Sequence, residues 1–229
     1  MSYFVTGTDT GVGKTLVSCA LLHAFAARGV RVAGFKPVAA GCDEDDHNAD
    51  ALALRAASTP QLTYGQVNPY CFVPALAPHI AARFSGVRIE LARIMASYHE
   101  LEAQAEQVVV EGAGGLLVPL NEQQDSSDLA RELGLPLIVV VGMRLGCLNH
   151  ALLTVRAITE CGLECAGWVA NAVEPGMPAL QENIEALRQR IAAPLLGTIP
   201  HMAAPDARAA AELLNIELLS ESGSDEQIS

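Results

Sequence analysis

Gly7-Thr8-Asp9-Thr10-Gly11-Val12-Gly13-Lys14-Thr15 follows directly on the apolar run Tyr3-Phe4-Val5. These residue types suit a phosphate chain. Glycines let backbone N–H groups turn inward around phosphate oxygens, a lysine reaches the outer phosphates, and a Ser/Thr hydroxyl holds magnesium. Gly13-Lys14-Thr15 supplies the last two, and a helix starting there adds its positive N-terminal end. The usual spacing puts the first glycine at position 8; that residue is Thr8, and the glycine is Gly7. Coming straight after a strand, the segment predicts a nucleotide-binding loop.

In open parallel sheets, ligands bind outside the carboxyl ends of the strands. The residues closing the other apolar runs therefore matter next. Gly34-Phe35-Lys36 ends in a lysine that is costly to bury without an anionic partner, which suggests a phosphate or carboxylate contact. Val108-Val109-Val110-Glu111 has the layout of a Walker B strand, whose carboxylate lies near magnesium. The glycines of Gly112-Ala113-Gly114-Gly115 permit close backbone approach to a ligand. Asp50, at the start of an expected helix, reads from the residues alone as a capping group. Asn171 closes a further run, where its amide can pair with a purine edge or satisfy a loop backbone. Asn149 is a plausible helix N-cap, and a lone His150 reads as a packed or surface histidine.

Short β-branched runs alternate with longer amphipathic stretches, the pattern of a parallel sheet flanked by helices on both faces. Strands are expected at 3–6, 32–36, 107–111, 137–141, 166–170 and 195–198. Helices are expected at about 14–28, 49–57, 89–105, 127–133, 149–161, 178–191 and 206–213. Gly29, Gly134 and Gly162 fall where left-handed caps close helices. Four prolines (Pro60, Pro69, Pro74 and Pro78) punctuate residues 42–82, which suits a loop-rich excursion. No repeat or linker divides the chain, so residues 1–219 are expected to form one domain, with a flexible polar tail at 220–229.

A net charge of −12 from 14 basic and 26 acidic residues argues against nucleic acid as a partner. The acidic run at 43–46 reads as a solvated loop. Six cysteines (Cys19, Cys42, Cys71, Cys147, Cys161 and Cys165) show no C-x-x-C pair and read as reduced thiols of a cytoplasmic protein. The mean hydropathy is +0.28. Even so, the strongest apolar run, 135–143, is about half the roughly 20 residues a membrane span requires. The chain reads as soluble, with no membrane partner and no targeting segment.

Taken together, the motifs resemble the dethiobiotin synthetase family. The resemblance rests on the loop above and on Lys36-Pro37-Val38-Ala39, Asn48-Ala49-Asp50-Ala51-Leu52, Val67-Asn68-Pro69-Tyr70 and Pro78-His79-Ile80-Ala81. It continues through Val110-Glu111-Gly112-Ala113-Gly114-Gly115, Leu145-Gly146-Cys147-Leu148-Asn149-His150, Gly167-Trp168-Val169-Ala170-Asn171 and Pro194-Leu195-Leu196-Gly197-Thr198-Ile199-Pro200.

The resemblance implies a P-loop NTPase-type α/β fold and a ligase that closes a ureido ring on 7,8-diaminononanoate with CO2 (or bicarbonate) and ATP in biotin biosynthesis. The intermediates it implies are a carbamate and its mixed anhydride with phosphate; the products besides dethiobiotin are ADP and phosphate. Lys36 and Lys14 would flank the transferring group. Gly11, Val12, Gly13, Lys14, Thr15 and Leu16, together with Gly112, Ala113 and Gly114, would hold the nucleotide. Mg2+ would sit at Thr15, Asp50 and Glu111, which lifts Asp50 from cap to ligand. Asn171, Ala172, Pro200, His201 and Met202 would approach the adenine, and Thr10, Ala40, Leu145 and Asn149 the diamine. Relatives are homodimers whose diamine site draws on both subunits. Three positions depart from frequent family residues: Ala40 for a hydroxyl, Gly11 for an acid and Arg144 for a lysine.

A partner-switching ATPase shares this sheet and loop, but its signature lysine would stand at Asp9. A cobyrinic-acid-type amidase needs an ammonia source for which no residues remain.

Overall fold

A computed structural model describes residues 1–221 of the chain. In chain order the elements are β1 (Tyr3–Gly7), α1 (Lys14–Ala26), β2 (Val32–Phe35), β3 (Val38–Ala40), α2 (Ala49–Ala57) and α3 (Tyr64–Val67). Then come β4 (Tyr70–Phe72), α4 (Pro78–Phe84), α5 (Leu91–Glu102), β5 (Gln107–Glu111), α6 (Ser126–Leu133) and β6 (Leu137–Met143). The last are α7 (Cys147–Glu160), β7 (Cys165–Ala172), α8 (Leu180–Arg188), β8 (Leu195–Ile199), α9 (Ala207–Ala211) and α10 (Leu218–Glu221). Of the expected tail, residues 222–229 lie outside the described residues.

Six strands form one sheet in the order β2-β5-β1-β6-β7-β8, and every pairing is parallel. A parallel sheet needs cover on both faces. Accordingly β1 and β6 are buried at every position, and β7 at all but its first. From β1 the chain crosses to β2 at one edge and returns as β5 beside β1, and then crosses over to β6 on the other side of β1. The loop after β1 therefore opens at the point where strand order reverses, the usual place for a ligand in such sheets.

Two short parallel strands, β3 and β4, form a second sheet, with Val38 opposite Tyr70 and Ala40 opposite Phe72. The sequence gives no warning of them. Each is three residues long, too short for a period-2 pattern, and Pro37 and Pro69 precede them. They also explain why β2 stops at Phe35 rather than at Lys36. The Lys36 N–H donates to the Val67 carbonyl at 2.8 Å and its carbonyl accepts from Asn68 Nδ2 at 2.6 Å, turning the chain away from β5.

Three local expectations change. Asn48, not Asp50, caps α2: its Oδ1 accepts from Asp50 N at 3.0 Å and Ala51 N at 3.3 Å. Asn149 is not an N-cap either, because α7 already begins at Cys147 behind Gly146 at φ 93°. Nor are all six cysteines reduced thiols. Cys42 and Cys71, 29 residues apart, are joined across the β3–β4 sheet, while Cys19, Cys147, Cys161 and Cys165 are free. Sequence spacing does not reveal that pair, since only the folding of 42–71 brings the two together. The glycine caps fall as expected, with Gly29, Gly134 and Gly162 all at positive φ.

Replacing Asn48 with alanine removes the α2 cap and should lower stability by about 1 kcal/mol. Urea unfolding checks this: the midpoint should fall with unchanged slope, and Asn48→Asp should restore it.

Candidate functional site

The nucleotide loop is held in shape from outside. Gly7 carries the constraint that the usual motif places one residue later, because a Cβ there would lie 2.7 Å from Val12 Cγ2. Position 8 has room for a side chain, and the Thr8 hydroxyl accepts from Gly142 N at 3.4 Å. This is the physical reason for the shifted glycine. Gly13 stands at φ 87° directly before α1, with no side chain capping the helix, so the first N–H groups of α1 remain open to an anion. From the end of β7, Asn171 Nδ2 donates to the Val12 carbonyl at 2.8 Å and leaves no space for a Cβ on Gly13. Arg144, just beyond β6, pairs with the Asp9 carboxylate through one nitrogen. Two strand ends thus brace the loop.

Inside the loop the charges meet. The β2–β5 register sets Phe35 beside Val110, which brings Lys36 and Glu111 to neighbouring strand ends. Lys36 Nζ donates to Glu111 Oε1 at 2.5 Å and to Asp50 Oδ2 at 3.2 Å, and Thr15 Oγ1 donates to the same Glu111 oxygen at 2.9 Å. Lys36 is only 4% exposed and Glu111 not at all. Burial alone would pull the Lys36 ammonium down, but the carboxylates of Glu111 and Asp50 outweigh it and hold its pKa above the ordinary lysine value. Lys14 is placed differently. Its Nζ donates to the Asp9 carbonyl at 3.0 Å, and burial followed by repulsion from Lys36 lowers its pKa to about 8. The second Glu111 oxygen, Oε2, is buried without a hydrogen-bond partner among the described residues.

These groups line a cavity of about 1070 Å³. Thr10, Gly11, Gly13, Lys14, Thr15, Leu16, Lys36, Ala40, Asp50, Glu111, Ala113 and Gly114 all stand on its wall. Val12 and Gly112 are buried behind it. Asn171, Ala172, Pro200, His201 and Met202 are not on its wall, although Pro205 and Ala207, a few residues further along the chain, are. Leu145, 98% exposed, and the exposed Asn149 also stand apart from it.

Sequence reasoning missed Ala75, Leu76 and Ala77 on the wall, because nothing in their composition hints at a ligand; Pro78 beside them entered only as part of a motif that carries the resemblance. It also missed Cys19, which lines the cavity one turn beyond Thr15. Burial, then Glu111 and Asp50, push the Cys19 thiol up to about 12, so it stays protonated and inert. Its i+4 spacing from Thr15 was the available signal. No group of three His, Cys, Asp or Glu side chains among the described residues could hold a metal. The oxygen set here is two carboxylates and a hydroxyl.

Gly13→Ala combines a strained left-handed backbone with a clash against Asn171. It should weaken ATP binding by about a hundredfold or more. Calorimetric titration with ATP reads the loss, and an unchanged far-ultraviolet dichroism spectrum shows that the fold survives.

The chain matches the AAA domain family model over residues 1–208. Among solved structures, the MinC:MinD cell division protein complex of Aquifex aeolicus aligns with a TM-score of 0.56 at 12% identity, covering 100% of this chain and 98% of that one. A ParA family ATPase from Chlorobium tepidum gives 0.52 at 13%, covering 99% and 94%. At such identities the likeness is one of fold alone. Curated relatives are far nearer. The ATP-dependent dethiobiotin synthetase BioD of Aromatoleum aromaticum is 55% identical over 216 residues, 93% of this chain and 96% of the relative. Those of Nitrosospira multiformis and Xanthomonas oryzae are 54% and 52% identical, over 93% and 95% of this chain and 94% and 97% of theirs. Identity above one half, sustained across nearly the full length of each relative, means that this chain belongs to the ATP-dependent dethiobiotin synthetase family.

Proposed function

We propose that the protein closes the ureido ring of dethiobiotin from 7,8-diaminononanoate, CO2 and ATP. The observation that carries this reading is the meeting of Lys36, Glu111, Asp50 and Thr15 beside Lys14 on one cavity wall. In the proposed reaction one amine of the diamine adds to CO2, loses a proton and becomes a carbamate. A carbamate oxygen attacks the γ-phosphorus and ADP leaves. The second amine then attacks the carbamoyl carbon, phosphate leaves, and the ring closes.

Two anions must approach within reacting distance, so the chain's task is alignment and charge stabilisation. Lys36 enters from the end of β2, beside β5, and Lys14 from the first turn of α1; together they screen the carbamate and the γ-phosphate. The open N–H groups at the start of α1, with Gly11 to Leu16, cradle the phosphates. The residues fit magnesium as well. Thr15, Asp50 and Glu111 offer hard oxygen donors, and the buried, unpartnered Glu111 Oε2 is the kind of atom that such an ion satisfies. Bound there, the ion supplies charge neutralisation at the phosphate oxygens.

The adenine end is assigned to Asn171, Ala172, Pro200, His201 and Met202, and the diamine end to Thr10, Ala40, Leu145 and Asn149. The side chains that share the wall with Ala40 (Val38, Leu76 and Pro78) are apolar and suit an aliphatic chain, without the hydroxyl that the resemblance implies for many relatives. The full exposure of Leu145, away from its own chain's cavity, supports a homodimer in which the start of α7 serves the partner's diamine site. One domain over residues 1–219 is supported by an apolar core running from Tyr3 to Leu219. A cytoplasmic location is part of the same proposal; among the described residues no helix is long and apolar enough to cross a membrane.

Purified protein should release phosphate from Mg·ATP only when diaminononanoate and bicarbonate are both present. Rapid ATP turnover indifferent to the diamine would sink the ligase reading. Lys36→Ala should lower kcat by about 10²–10³ while KM for ATP changes little. A kcat within about threefold of the parent removes Lys36 from the transition state.

A further inference from the structure

We propose that Cys42 and Cys71 form a thiol-oxidation site, closed by exchange with low-molecular-weight disulfides, whose state sets the rigidity of the diamine end of the cavity. Only its kinetic consequence rests on the ligase reading. The pair bridges β3 to β4 with Cα atoms 6.2 Å apart, beside the hydrogen bond from Cys42 N to the Phe72 carbonyl at 3.1 Å. Its place is what matters. Strand β3 supplies Val38, Ala39 and Ala40 to the cavity wall, and the chain leaving β4 supplies Ala75 to Pro78. One covalent bond therefore ties together the two sides of that wall.

A second connection runs inward. The Tyr64 hydroxyl lies 3.2 Å from Cys71 Sγ and accepts from Asn48 N at 2.8 Å. Asn48 in turn caps α2 and holds Asp50, the carboxylate paired with Lys36. The sulfur is thus linked through Tyr64 and the α2 cap to the charged centre. The other four cysteines are free thiols, so this chain is not built on a disulfide framework.

The chemistry balances as exchange. An incoming thiolate attacks Cys71 Sγ, which is half-buried, whereas Cys42 is 6% exposed. The protein S–S bond breaks, Cys42 leaves as a thiolate and takes up a proton, and Cys71 carries a mixed disulfide. A second thiolate attacks the sulfur of the bound small molecule and releases Cys71. The sum is protein disulfide plus two small thiols, giving protein dithiol plus one small disulfide; oxidation is the reverse. Asp43, Glu44, Asp45 and Asp46 follow Cys42 directly and repel anionic thiols. Glutathione should therefore react more slowly than a neutral dithiol.

The test equilibrates the full-length enzyme in glutathione buffers of graded redox poise and, separately, in reduced and oxidised dithiothreitol. Free thiols are alkylated, and the peptide linking Cys42 to Cys71 is quantified by mass spectrometry. Hydrogen exchange over residues 38–48 and 70–78 and KM values for the diamine and ATP are then measured in both states. The expected result is one titrating pair, faster with dithiothreitol. On linkage, exchange should slow in those two segments, and KM for the diamine should fall about fivefold while that for ATP stays within about twofold. The double variant Cys42→Ser/Cys71→Ser should keep the reduced-state values in every buffer. A pair that never links, or one that links with exchange and diamine KM unchanged, overturns the proposal. A staple serving only global stability would raise Tm and leave that KM alone. If neither state shows diamine-dependent turnover, the ligase reading has failed, and hydrogen exchange alone decides: equal exchange in both states overturns the site.

Discussion

The buried contact between Lys36 and Glu111 is the interaction around which the rest is arranged. Neither group could be buried alone at the end of a strand: an isolated charge in the interior is strongly disfavoured, and removing one partner of a buried pair costs about 3–5 kcal/mol. Their pairing is possible because β2 and β5 are adjacent and in the register that sets Phe35 beside Val110. That adjacency is a matter of topology, since β5 follows β2 only after the whole excursion through α2 to α5. The excursion also returns Asp50 as a second carboxylate for Lys36 and, through Val67 and Asn68, turns the chain at Lys36 so that its side chain faces the cavity. The site is therefore a consequence of how the sheet is wound, and not of any contiguous motif other than the loop.

Much of this was legible in the sequence, for identifiable reasons. A parallel sheet buried on both faces leaves nearly continuous apolar runs, so β1, β5 and β6 announce themselves, and a charged residue ending such a run marks a site. Lys36 and Glu111 were found that way. Asp50 was not: at the start of a helix an acid is unremarkable, and only the family resemblance raised it. The geometry then showed Asn48 taking the cap and leaving the Asp50 carboxylate free for Lys36. The β3–β4 sheet and the Cys42–Cys71 link stayed hidden because they depend on contacts about thirty residues apart, in a segment broken by prolines. Asn171 left two readings open, a purine partner or a backbone brace. In the structure its amide nitrogen braces the Val12 carbonyl, and the assignment of this residue to the adenine remains part of the proposed function.

The likeness to MinD- and ParA-containing structures sharpens where function resides. Those chains share the fold, and fold alone does not carry an activity. What differs here is local. Position 9, where a switching ATPase would place its signature lysine, holds Asp9, and this carboxylate is occupied by Arg144 of the same chain. A loop braced by its own strand ends has no such side chain to lend to a neighbour. In the proposed reaction the positive charge comes instead from Lys36, which is held at the end of β2 by Glu111 and Asp50.

In the proposed reaction the two lysines divide the work by how they are held. Both are buried, but Lys36 has two hydrogen-bonded carboxylate partners that keep it charged. Lys14 instead donates to a neutral carbonyl, and burial with repulsion from Lys36 outweighs the more distant attraction of Glu111, Asp50 and Asp9. A group held by a single carbonyl bond gives up little when it moves toward a phosphate, and a polyanion would relieve the repulsion that lowers its pKa to about 8. Lys36 cannot move without giving up its ion pair with the buried Glu111, whose carboxylate would keep only the Thr15 hydroxyl as a donor among the described residues. In the proposed reaction it follows that Lys14 travels with the nucleotide while Lys36 stays as the fixed reference for the carbamate. Alignment of the two anions then rests on the rigidity of adjacent strand ends.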